Sequence, residues 1–204
     1  MLTPRQHNII NNWRKNWTSK GGKPLSITNA TTETDAISIA LDKAHAPSVV
    51  RALKTGKKPT KCARAAAKNY LKGEIATALH TSMSQANYDA WNSKVCDEIK
   101  KLYQNHSFSD YTLGNAQKLV NMTVKYIFSS DVIDPDLDFF KVAHIPIDRI
   151  IMATAKSKLG VSPLLQSWSS TNNMADLLDY QNKIRKEMVA SKNEFPLIWE
   201  VENW

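Results

Sequence analysis

Leu113-Gly114-Asn115-Ala116-Gln117-Lys118-Leu119-Val120-Asn121 is the stretch on which the reading of this chain turns. Small residues at 114 and 116 suit a tight turn. Leu119, Val120, Val124, Ile127 and Phe128 then recur at three- and four-residue spacing, as on one apolar face of a helix. Lys118 falls about one turn into that helix. Thirty residues later Asp148, in Ile145-Pro146-Ile147-Asp148, stands at the start of another helix that continues through Ile150, Ile151, Ala155 and Leu159 to Gly160. Such an arrangement brings an amine and a carboxylate towards one cleft.

Helical periodicity extends outward in both directions, and strand-like alternation is scarce. Pro4 opens a helix with Ile9, Ile10, Trp13 and Trp17, ending near Gly21-Gly22. The cap-rich Thr31-Thr32-Glu33-Thr34-Asp35 leads into Ile37, Ile39, Ala40, Leu41 and Ala44, and Pro47 restarts a short helix through Leu53. Lys54 to Lys61, with Lys57, Lys58 and Lys61, reads as a basic loop able to contact phosphates or simply to be solvated. Pro59 and Thr60 begin a helix that reaches Gly73, and Ser84 opens a longer one through Tyr88, Trp91, Val95, Ile99 and Tyr103. An acidic connector, Asp131 to Asp138, precedes the Asp148 helix. A last long helix spans about residues 173 to 190, and the apolar Phe195 to Trp204 returns to the body. The expectation is an all-α fold: one compact helical domain over residues 1–204, with room for two helical lobes around a cleft and a lobe boundary near Gln104 to Asp110.

Composition narrows the chemistry. Among 204 residues, 27 Lys+Arg against 19 Asp+Glu give a net charge of +8, which favours polyanionic partners. The only two cysteines, Cys62 and Cys96, exclude a disulfide framework and a four-thiolate zinc or iron–sulfur site, and both read as reduced core thiols. His7, His45, His80, His106 and His144 never pair at three- or four-residue spacing, so no metal is expected. Asp134-Pro135-Asp136-Leu137-Asp138 imitates a calcium loop, but Phe139 stands where glycine is required and Ile145 where the closing glutamate belongs. Neither a phosphate-binding glycine loop with its Lys-Ser/Thr pair nor a nucleophile elbow occurs, so no cofactor is implied. No apolar run approaches the ~20 residues of a membrane span, and the N-terminus lacks a secretory pattern, so a cytoplasmic, membrane-free protein is expected.

In a helix-hairpin-helix unit, a turn of small residues exposes backbone N–H groups that bind a nucleic-acid phosphate without reading sequence. Gly114 to Lys118 and the following Leu119-Val120-Asn121 resemble the hairpin of the helix-hairpin-helix DNA glycosylase superfamily, and Ile145-Pro146-Ile147-Asp148 resembles its acid-bearing segment. The resemblance covers roughly residues 111 to 160. Leu113 stands where that family usually has proline, Ala116 replaces a second glycine, Arg149 follows the acid where a small hydroxyl residue is common, and the interval from Lys118 to Asp148 is longer.

The resemblance implies a base-excision protein on duplex DNA, with Lys118 as the amine nucleophile that attacks the sugar C1′ in a lyase reaction and Asp148 as the carboxylate that assists base loss. Gly114, Asn115, Ala116 and Gln117 would face phosphate, and Trp168, amid Ser167, Ser169 and Ser170, would offer a surface for an extruded base. Trp13, Trp91, Trp199 and the other tryptophans read as packing residues. The same residues admit a plainer reading: Asp148 compensates a helix dipole, Lys118 is solvated, and the chain is a non-enzymatic basic binding protein, a regulator or inhibitor docking on nucleic acid or on another protein.

Overall fold

Thr60, Ser84 and Thr112 start three helices in one way: each adopts extended backbone and its hydroxyl accepts the N–H three residues on, from Ala63, Asn87 and Asn115. The computed structural model describes residues 1–19, 30–45, 48, 59–106, 108–192 and 195–203. Every regular element among them is helical: α1 (Pro4–Ser19), α2 (Glu33–His45), α3 (Lys61–Leu79), α4 (Gln85–Asn105), α5 (Leu113–Phe128), α6 (Asp138–Lys141), α7 (Arg149–Leu159), a 3-10 turn at Trp168–Ser170, α8 (Met174–Lys192) and α9 (Pro196–Asn203). No helix among the described residues is long and apolar enough to cross a membrane.

The fold is arranged around α5, all sixteen residues of which are buried. α2 and α4 flank it, the 3-10 turn lies against it, and α3 completes a layer with α2 and α4; α1, α6 and α8 pack on α9. A helix buried on every side is ordinarily apolar. This one carries Asn115, Gln117, Lys118, Asn121, Thr123 and Lys125, and its stability depends on giving each polar group a partner. Asn121 accepts from Asn92 of α4 at 2.9 Å, Thr123 donates to the Leu119 carbonyl, and Lys125 donates to Glu200 of α9. Beyond the C-terminal end of α5, Arg14 of α1 donates to the Ser129 and Ser130 carbonyls at 2.9 and 2.6 Å, a cation set where the helix dipole is negative.

Several local expectations change. Gly114 is not in a turn: Thr112 is the N-cap, so Gly114 lies inside the first turn of α5, and α4 reaches it through the longer connection 106–112. α4 and α5, on either side of Gln104 to Asp110, pack directly against each other. α3 runs through Gly73 to Leu79, since one glycine costs a helix only about 1 kcal/mol and Leu71, Ile75, Ala78 and Leu79 repay it by burial. The acidic connector contains the short α6, whose Phe139 and Phe140 are fully buried. Cys96 is a core thiol, whereas Cys62 is exposed. Lys57, Lys58, the Pro47–Leu53 segment apart from Ser48, and Trp204 lie outside the described residues.

Candidate active site

Lys118 and Asp148 meet. The Lys118 ammonium donates to Asp148 Oδ2 at 3.0 Å, with side-chain exposures of 10% and 14%, so the pair sits at the rim of the core and touches solvent. Asp148 is the N-cap of α7, and its other oxygen, Oδ1, accepts from the Ile150 and Ile151 N–H groups at 2.9 and 3.0 Å. The two oxygens therefore have separate duties, helix capping and amine binding.

The extended segment before Asp148 explains why that carboxylate is where it is. Gln117, one residue before Lys118, uses its carboxamide like an edge of sheet: it accepts from the Ile147 N–H at 3.1 Å and donates to the Ile147 carbonyl at 2.8 Å. Gln181 of α8 does the same to Ile145, at 3.3 and 2.7 Å. Pro146 between them has no N–H to satisfy. His144, at the head of the segment, is 2.7 Å from Asp89 Oδ1, which also accepts from Gln85 and Arg185. Burial opposes the charge on Asp89, but hydrogen bonds from His144 and Gln85 and the charges of His144 and Arg185 outweigh it and hold the carboxyl at about 2. Neither glutamine role is visible as a spacing, because each pairs with backbone far along the chain.

A second ion pair lies deeper on α5. Lys125 and Glu200 are fully buried and 2.5 Å apart. Burial pushes the ammonium down and the carboxyl up, each opposed by the charge of the other, and both also feel Asp148 and Lys118. The two pairs form one electrostatic unit along the helix.

The N-terminus of α5 is occupied. The Leu113 N–H donates to Asn172 Oδ1, the Gly114 N–H to the Thr171 carbonyl and the Asn115 N–H to Thr112, while the Thr112 hydroxyl reaches the Ser169 carbonyl. A Cβ on Gly114 would lie 1.6 Å from the Trp168 carbonyl oxygen. Gly114, Asn115, Ala116 and Gln117, expected to face phosphate, are all buried, and the glycine is there because a strap of the chain's own backbone crosses it. This strap leaves Gly160, the left-handed C-cap of α7 (φ 70°), and arrives at Trp168, whose half-buried ring faces the Lys118 ammonium 4.6 Å from its centroid. Pro163, Leu165 and Thr171 of the strap and Tyr180 of α8 help line a groove of about 290 Å³.

Of the expected site residues, then, Lys118, Asp148 and Trp168 come together. Lys61 is exposed at the start of α3, which packs chiefly on α2 and α4. Trp13 and Trp199 are core residues and Trp91 packs against the core from its edge. No group of three metal-ligating side chains occurs among the described residues. No family model matches this sequence, and no curated protein or solved structure is significantly similar to it.

Proposed function

We propose that this protein is a DNA base-excision enzyme, a glycosylase whose Lys118 also supplies lyase chemistry. The observation that carries the reading is the 3.0 Å contact between Lys118 Nζ and Asp148 Oδ2 at a solvent-reachable rim, made by residues 30 positions apart on separately anchored elements. An amine nucleophile attacks only when it has given up a proton, and a carboxylate at this distance is placed to accept it. Attack of Nζ on the sugar C1′ then forms the C–N bond as the base departs with the glycosidic electron pair. Asp148 stays fixed throughout because Oδ1 is held by two backbone N–H groups and the preceding residue by Gln117. A substrate sugar reaches Nζ by displacing the Trp168 ring.

Incubation with duplexes carrying an abasic site, uracil or 8-oxoguanine under borohydride tests the reading. Wild-type protein is expected to give a trapped covalent adduct and Lys118→Ala none, with fold and DNA binding kept. An undiminished adduct in Lys118→Ala removes the nucleophile. The reading as a non-enzymatic binding protein draws on one observation, that Asp148 and Trp168 already satisfy the Lys118 ammonium in a structural pair. It predicts salt-sensitive binding with no turnover on any of these duplexes.

A further inference from the structure

The closed N-terminus of α5 raises the question of where a polyanion would lie. Three helices, α1, α5 and α7, contain basic residues and no acidic ones. In two of them the described cationic side chains are paired: Arg5 and Arg14 of α1 with Glu202 and Asp131, and Lys118 and Lys125 of α5 with Asp148 and Glu200. In α7 they are not. Arg149, Lys156 and Lys158 are all exposed, and none is ion-paired among the described residues. Arg149 follows Asp148 directly, and Lys156 stands two helical turns on, about 10 Å along the axis on the same face. Between them on that side of the helix lie Met152, half-buried, and the small, exposed Ala153.

We propose that this face of α7 is the surface on which the phosphodiester backbone of duplex DNA lies, in place of the first turn of α5. Two unpaired cations on one face, beginning beside the site acid, are complementary in charge to a line of phosphates and align it with Lys118, while Lys158 falls on the other side of the helix. A duplex fits better than a single strand. Proteins that hold unpaired bases stack them on exposed aromatic rings, and among the described residues the exposed large apolar side chains, Met1, Val132, Ile150, Leu165 and Val189, include no aromatic. The inference rests on the DNA reading of the site but is separable from it by experiment.

The test is fluorescence anisotropy with a labelled, undamaged duplex, titrated with salt, for wild-type protein, the double variant Arg149→Gln/Lys156→Gln and a charge-matched control, Lys43→Gln/Lys100→Gln. All substitutions on α7 are at exposed positions, and circular dichroism checks that the helices are kept. The α7 variant is expected to bind about tenfold more weakly at low salt, with the slope of log affinity against log salt flattened by about two, while the control keeps most of both. Equal losses in the two variants, tighter binding to a single strand of equal length, or no duplex binding by wild-type protein each overturn the proposal. Binding that depends on α7 with no trapped adduct on any damaged duplex leaves this surface standing and removes the enzymatic reading. A lysine-dependent adduct together with undiminished binding by the α7 variant does the reverse.

Discussion

At Asp148 one side chain performs two tasks that substitution can separate. Asparagine is as good an N-cap as aspartate, so Asp148→Asn keeps the Oδ1 contacts to Ile150 and Ile151 but offers Lys118 no negative charge. Alanine removes both. Denaturant unfolding is expected to find Asp148→Ala less stable than Asp148→Asn by about 1 kcal/mol, the worth of a cap, while borohydride trapping falls in both. Equal stabilities would mean that the cap contributes nothing; full trapping by Asp148→Asn would take the carboxylate out of the chemistry. Gln117 shows how differently a residue reads once its neighbours are in place. In the sequence it is one of a run of small and polar residues at a candidate phosphate turn, and in the fold it is a buried clamp on Ile147. Nothing in local spacing distinguishes the two, because its partner is 30 residues away.

Between elements, the crossing of α5 by the strap hinges on the missing side chain of Gly114. In a free helix, Gly→Ala is stabilising by about 1 kcal/mol. Here the added Cβ would overlap the Trp168 carbonyl, so Gly114→Ala is expected to lower stability by about 1–3 kcal/mol, the usual cost of overpacking, and to speed proteolysis between residues 161 and 172. A higher melting temperature would show that the strap does not rest on α5. Element starts governed by local chemistry were legible: Pro4, Thr60, Ser84 and the glycine C-cap at 160 all mark real boundaries. The start of α5 was misplaced because Gly114 looks like a turn residue and Thr112 carries the capping box instead. Its burial was hidden for a related reason: lysines and amides spaced between aliphatics mimic a solvated face unless Asp148, Glu200 and Asn92 are known to lie opposite. No periodicity links Lys118 with Asp148; the sequence offers only an amine and an acid near the starts of two helices, and the contact itself appears once those helices are packed.

Across the whole molecule, buried histidines tie stability to pH. His45, at the end of α2, is held down to about 4, mainly by burial and further by Arg64 and Lys68, against a smaller opposing pull from Asp42. The unfolded chain takes up that proton near pH 6.5 and the folded protein only near 4, so stability present above pH 6.5 is lost progressively as the pH falls towards 4. His144 acts in the same direction: burial and Arg185 lower it, Asp89 opposing. Denaturant midpoints for wild-type protein are expected to fall between pH 7 and pH 4.5, and in His45→Leu by less, the difference being on the order of 2 kcal/mol. Identical slopes would place the acid sensitivity elsewhere. The buried Lys125–Glu200 contact has a consequence for the order of events at synthesis. The helix that carries the candidate nucleophile leaves the ribosome well before its second ammonium can be neutralised, because Glu200 lies 75 residues downstream. Interring that cation alone would cost several kcal/mol. The nascent chain therefore keeps its central helix hydrated until α9 has been translated, and the core around Lys125 closes only once Glu200 arrives.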